Sequence, residues 1–353
     1  MPRTVSTGSF RHRLASWRVI AASSCAAVAA RLAGRPINPA WSVEFEIGVR
    51  FWRRQFTRAL NARDMAEGRI IFDSLQTYTD EAFEIRRDPV REARVKGDWI
   101  EPASVRTNAV LLYLHGGGYA LHGGVSHTFG EMLAHHLGAR VFALDYRLTP
   151  EHPHPAQQED ALEAVRWLHA TGVSPDRLVL IGDSAGGHLT LMTLVALRDA
   201  GAPQPALAIG LCPWTDVGDR GASLHANDRY DLVQGWMALR FGEWLTGDSG
   251  ATRAALSPIE QDFTGLAPVY LQAGGREILH DMIRDFALKL ASDARHVTLD
   301  VWPEMTHVFQ AHGLTLPESR EALERIAAAL ARHVDGTGED LAEIPATNVR
   351  SRP

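Results

Sequence analysis

Six short apolar runs constrain this chain more than any other feature. They are AVLLYLH (109–115), ARVFALDY (139–146), RLVLIG (177–182), ALAIGLC (206–212), PVYLQAG (268–274) and VTLDVW (297–302). Stretches with helical periodicity lie between them. A strand that reads as an almost unbroken apolar run is buried on both faces. Intervening helices supply that cover and let successive strands run parallel. The pattern predicts an α/β fold with a mostly parallel central sheet and helices on both faces. EAFEIRR (81–87) and REARVKGDWIEP (91–102) read as two antiparallel strands ahead of it. The rhythm fails once, over 219–262, where no strand is legible and DLVQGWMALRFGEWLTG reads as a helix rich in Trp and Phe. An insertion there is expected to be a second cap segment over the sheet. The last helix is expected over 316–334, with Pro317 in its first turn and Glu318 and Glu321 towards its positive end. The main domain thus spans 81–335, and the polar residues 336–353 are expected to form a loose tail.

Residues 1–80 read as a helical cap region, in which Pro36 and Pro39 separate a first helix from WSVEFEIGVRFWRRQFTRAL. The first 43 residues carry six arginines (Arg3, Arg11, Arg13, Arg18, Arg31, Arg35) and no acid. VIAASSCAAVAA (19–30) within them has the outline of a secretory signal. However, Phe10, Leu14, Trp17, Ala21, Val28 and Leu32 fall on one helical face, with the arginines mostly off it. An amphipathic helix is the preferred reading and a cleaved signal the minor one. The helix leaves peripheral membrane contact open, but the alanine-rich run is too short to span a bilayer. With a formal net charge of −6 and dispersed basic residues, nucleic acid is not expected as a partner. The two cysteines, Cys25 and Cys212, form neither a disulfide framework nor a zinc pattern. A cytoplasmic location is expected, and a homodimer is left open.

The chemistry centres on VLIGDSAGGHL (179–189). Gly182-Asp183-Ser184-Ala185-Gly186 fits G-x-S-x-G, with a strand before it and a helix-forming stretch after it. Glycines on both sides permit a sharp turn that exposes the serine hydroxyl near a helix N-terminus. A serine alcohol needs a base to take its proton and donors where negative charge develops on the attacked carbonyl. His115-Gly116-Gly117-Gly118 closes the first apolar run, and the amides of Gly116, Gly117 and Ala185 are the candidate donors. Of the 16 histidines, those upstream of Ser184 are set aside, because in such hydrolases the order along the chain is Ser, acid, His. His307, just beyond the last strand, is the candidate base, with His312 its neighbour and rival. For the acid, Glu277 and Asp281 follow the Gly274-Gly275 turn, and spacing alone does not choose between them.

These segments together resemble the hormone-sensitive lipase-like α/β-hydrolases. The resemblance rests on HGGGYALHG, DYRLTPEHPHPAQQED, RLVLIGDSAGGHL, PWTD, SPI, GLAPVYLQAGGREILHD and WPEMTHVFQ, across about residues 108–310. It implies an α/β-hydrolase fold with a helical cap. It also implies a serine carboxylesterase that needs no metal or organic cofactor and takes small to medium acyl esters or lactones through an acyl-enzyme. The family's acid stands in a D-P-L-x-D-E pattern, which here reads Glu277-Ile278-Leu279-His280-Asp281. The resemblance therefore places Glu277 as acid and Asp281 outside the triad, and His307 as base. It also makes His115 and Asp183 supports. An interfacial lipase, a peptidase or amidase, and a non-catalytic small-molecule binding protein on the same fold are the alternatives. Trp41, Phe45, Phe51, Trp52, Trp236, Phe241 and Trp244 are candidates for an acyl pocket, though packing of the cap on the domain explains them equally well.

Overall fold

The computed structural model of the protein describes residues 3–78, 83–293 and 296–337. At the N-terminal end β1 (Arg3–Ser6) pairs antiparallel with β2 (Leu75–Tyr78), and three helices lie between them: α1 (Phe10–Leu32), α2 (Val43–Leu60) and α3 (Met65–Asp73). The helices match the sequence reading, whereas the two-stranded sheet is an addition to it. Strands of four residues are too short to show an alternating pattern. Ser42 and Asp64 cap α2 and α3, accepting from Phe45 N at 3.1 Å and Glu67 N at 2.8 Å.

Helix α1 turns its small polar side inward. Ser16, Ser23 and Ala27 are its buried residues. Ser16 Oγ meets Ser74 Oγ at 2.7 Å and accepts from Gln55 Nε2 at 2.9 Å, while Arg54 Nη1 donates to Ser23 Oγ at 2.9 Å. The apolar face read from the sequence points outward, with Phe10 70%, Trp17 47% and Leu32 86% exposed. No helix among the described residues is long and apolar enough to cross a membrane.

The central sheet has eight strands: β3 (Ile85–Arg91), β4 (Lys96–Pro102), β5 (Val110–Leu114), β6 (Arg140–Leu144), β7 (Leu178–Asp183), β8 (Leu207–Leu211), β9 (Val269–Gly274) and β10 (Val297–Trp302). Their order is β10-β9-β8-β7-β5-β6-β4-β3, parallel from β10 through β6, with β4 antiparallel to β6 and β3 antiparallel to β4. All six apolar runs are strands. The first antiparallel strand is displaced from its expected place, running to Arg91 instead of ending at 87. It is an edge strand, mostly exposed, so it lacks the apolar alternation that would mark its bounds. Its Arg86, Arg87 and Arg91 also discourage edge-to-edge pairing.

Side chains alternate across the sheet and build two cores. Val110, Leu112, Leu114, Leu178 and Leu180 face the layer that contains α5 (Ala156–Ala170), α6 (Ala185–Asp199) and α10 (His280–Ser292). Leu111, Tyr113, Val179, Ile181 and Ile209 face α4 (Gly124–Leu137) and α11 (Pro317–His333). Burial of both faces explains why these strands are apolar throughout. The interval 219–262 holds no strand, but the short helices α7 (Ser223–Ala226) and α9 (Arg253–Leu256) and the longer α8 (Gly235–Thr246). Of the expected tail, residues 338–353 lie outside the described residues.

Candidate active site

The central strand β7 delivers Ser184 to the start of α6. The serine sits at φ 55°, ψ −119°, a conformation that a residue with a Cβ adopts only under constraint. The constraint is close packing on both sides. A Cβ on Gly182 would lie 2.3 Å from the Gly186 carbonyl, and one on Gly186 would lie 1.8 Å from Leu114 O. The elbow is further tied by Ser184 N donating to Leu211 O at 2.9 Å. Every residue of α6 from Ala185 to Leu197 is buried, so the turn has a rigid base.

Two loops at the carboxyl ends of neighbouring strands bring the remaining groups. Glu277 follows β9 and His307 follows β10. His307 Nε2 lies 2.7 Å from Ser184 Oγ, and His307 Nδ1 lies 2.7 Å from Glu277 Oε2. The other carboxylate oxygen of Glu277 accepts from Gly274 N at 2.7 Å. Glu277 is completely buried and His307 is 3% exposed. Burial pulls the His307 pKa down, but the hydrogen bond and charge of Glu277, aided by Asp231 and Asp183, outweigh it and leave it raised. The rivals lie elsewhere. His312 packs its ring on Phe45, and burial pushes its pKa down to about 4. Asp281 accepts from Ser223 N at 2.9 Å and pairs with Arg284 at 2.9 Å.

The glycine loop requires one correction. Gly116 was expected to offer its N–H to an oxyanion, but that N–H donates to Asp183 Oδ1 at 2.9 Å. The same oxygen accepts from Tyr113 Oη at 2.8 Å, so Asp183 fixes the root of the loop to the elbow. An amide already bonded to a buried carboxylate is not free for a reacting oxygen. Among the described residues no acceptor takes the N–H of Gly117, Gly118 or Ala185. Gly117 and Gly118 both have positive φ, 105° and 61°, which turns their amides out of the strand direction. A Cβ on Gly118 would lie 2.4 Å from the Phe241 ring, so this aromatic of the 219–262 interval presses on the loop. Most other aromatics proposed for the pocket pack inside. Trp41 and Phe45 join Trp302 and Phe309, while Phe51 and Trp52 stack towards Phe56 and Phe72. His115 is a support: its Nδ1 meets Gly116 O at 2.7 Å and its ring stacks on Tyr146.

Sequence reasoning missed Asp231. This fully buried carboxylate accepts from His307 N at 3.1 Å and Leu232 N at 2.7 Å through Oδ1, and from Ile278 N at 2.7 Å through Oδ2. It thereby joins the His307 loop to the Glu277 loop. Burial pushes its pKa up to about 6, with the nearby charge of Glu277 adding to the rise. No local motif announces it; it stands in the polar run NDRYD of the inserted interval.

A strained serine on a strand-to-helix elbow, a histidine and a buried acid on the two loops beyond it, and a glycine loop with free amides point to one family. The α/β-hydrolase fold family matches residues 111–311. An acetyl-hydrolase of Streptomyces hygroscopicus is 39% identical over 253 residues, which cover 71% of this chain and 84% of that protein. An ethyl acetate hydrolase of Pseudomonas putida is 33% identical, covering 70% and 79%. Among solved structures, an esterase from the bacterial hormone-sensitive lipase family superposes with a TM-score of 0.69 at 31% identity, over 93% of this chain and 100% of that one. A hormone-sensitive lipase from a metagenome library gives 0.68 at 28% identity, over 72% and 88%. The chain belongs to the α/β-hydrolase fold family, in its hormone-sensitive lipase-like group of esterases.

Proposed function

We propose that Ser184, His307 and Glu277 are the catalytic triad of this carboxylic ester hydrolase, and that it cleaves small to medium acyl esters or lactones. The observation that carries the reading is the unbroken hydrogen-bonded chain from Ser184 Oγ through His307 to Glu277, both links at 2.7 Å. His307 takes the serine proton as Oγ attacks the ester carbonyl. Glu277 holds the tautomer in which Nδ1 carries the proton and Nε2 is free to accept. The amides of Gly117, Gly118 and Ala185 receive the developing oxyanion. His307 then protonates the leaving alcohol, and a water that it activates releases the acid from Ser184. No step in this sequence draws on a metal or organic cofactor.

Relatives named for acetyl and ethyl acetate hydrolysis favour a short acyl group. A lipase acting at interfaces is the second reading, supported by the outward apolar side of α1 with Arg11, Arg13 and Arg18 exposed beside it. Hydrolysis of p-nitrophenyl esters from acetyl to palmitoyl, by wild type and Ser184→Ala, tests both. Turnover that is highest on short chains and absent in the variant is expected. A jump in rate on emulsified long chains would favour the lipase, and no activity above the variant on any chain would refute acyl-ester hydrolysis and shift the reading to lactones, amides or a binding protein.

A further inference from the structure

We propose that His122, His127 and Asp145 form a binding site for a divalent transition-metal ion of the Zn2+ type, beside His115 at the end of the glycine loop. The three residues come from separate pieces of chain: the loop after Leu121, the first turns of α4, and the residue following β6. One donor atom from each lies within 4.8 Å of the others. His122 Nε2 and Asp145 Oδ1 are 3.4 Å apart. Two ligands bound at about 2.0–2.1 Å around a tetrahedral zinc are separated by about that distance. The His122 ring is half-buried, both of its nitrogens are shielded from solvent, Nδ1 has no hydrogen-bond partner, and Nε2 faces only Asp145. A cation held between Nε2 and Asp145 Oδ1 would replace that one long contact with two metal–ligand bonds.

The charges around the site are arranged to suit a cation. Arg91 takes one oxygen from each of two carboxylates, Asp98 Oδ1 at 3.0 Å and Asp145 Oδ2 at 3.9 Å. That leaves Asp145 Oδ1 towards His122 and Asp98 Oδ2 towards His127 Nδ1, at 4.0 Å. The two carboxylates outnumber the guanidinium between them, so a dication is electrostatically favoured there. Two imidazoles with carboxylate oxygen select zinc-like ions over magnesium or calcium. The His122 ring stacks on His115 with centroids 4.0 Å apart, and His115 Nδ1 bonds to Gly116 O. A bound ion would therefore clamp the loop that carries Gly117 and Gly118.

The test is equilibrium dialysis of tag-free protein against Zn2+, with metal counted per chain, alongside Co2+ loading followed by its visible d–d bands. His122→Phe keeps an aromatic ring on His115 and removes a ligand, and Asp145→Asn serves if that variant does not fold. His307→Ala controls for Cys212, Glu277 and His307, which form the other cluster of compatible geometry among the described residues. One Zn2+ per chain is expected, unaffected by His307→Ala and weakened at least about tenfold by His122→Phe. A rise in Tm with Zn2+ is expected in wild type but not in the variant. Absence of stoichiometric binding, equal binding by His122→Phe, or its loss in His307→Ala would each overturn the proposal.

Discussion

Replacing Glu277 with glutamine changes one oxygen to NH2 at nearly constant volume, so its effect is electronic and directional. The carboxylate accepts at both ends, from Gly274 N at 2.7 Å and from His307 Nδ1 at 2.7 Å. An amide can accept at only one. If its oxygen stays on Gly274, its NH2 donates to His307 Nδ1, and the ring proton moves to Nε2, where it faces Ser184 Oγ. The imidazole then has no lone pair for the serine proton. If the amide flips, its NH2 confronts Gly274 N–H, and two buried donors go unpaired at a cost of about 1–3 kcal/mol. The first arrangement keeps both contacts and is favoured, so the enzyme is held in the wrong tautomer. In a comparable serine–histidine–carboxylate system that inversion lowers kcat about ten-thousandfold, equivalent to about 5.5 kcal/mol of activation free energy. We expect that scale of loss for Glu277→Gln on p-nitrophenyl acetate, with a Tm close to wild type. Asp281→Asn is the control: its carboxylate serves Ser223 N and Arg284, so kcat should stay within about threefold. If Glu277→Gln kept kcat within about tenfold of wild type, the tautomer argument and the assignment of the acid would both fail.

Two further expectations concern pH and packing. The raised pKa of His307 means that the working, neutral imidazole is lost as pH falls through a value above the ordinary histidine range, so the acid limb of kcat/KM should lie above about 6.5. Asp231→Asn removes one of the charges that raise it and should shift that limb to lower pH; an unmoved limb would reduce Asp231 to a purely structural tie. Gly186→Ala puts a Cβ 1.8 Å from Leu114 O and 2.6 Å from His115 O, where only backbone could yield. A stability loss of about 3 kcal/mol or more is expected by urea unfolding, and an unchanged midpoint would show that the elbow is looser than described.

The parts of this molecule that could be read from its sequence are those governed by local pattern. Strands β5 to β9 were legible because burial on both faces makes each an apolar run, and β10, half-exposed at the sheet edge, because its Val297, Leu299, Val301 and Trp302 keep a shorter apolar pattern. Ser184 was legible because the elbow demands Gly182 and Gly186 beside it. What eluded the sequence depends on distant partners. Which of the glycines 116–118 has a free amide is decided by Asp183, more than sixty positions away, whose carboxylate takes the first. Asp231 lies in an insertion without a motif, and its value arises only when the fold sets the His307 and Glu277 loops on either side of it. Spacing left Glu277 and Asp281 undecided because both follow the same turn; the register of the family pattern favoured Glu277, and in the structure it is the Glu277 carboxylate that reaches His307. The inward side of α1 was equally hidden, since a helix with an apolar stripe is ordinarily expected to bury that stripe.

That inversion in α1 has a consequence for how the molecule comes apart. The helix is fastened to its neighbours by serine hydroxyls, an amide and guanidinium groups, with little hydrocarbon removed from water on its inner side. Solvent can replace such bonds one for one as the helix lifts. The N-terminal helix is therefore expected to open as a unit of its own, its amides exchanging with deuterium before those of α6 and the central strands, which wait for global unfolding.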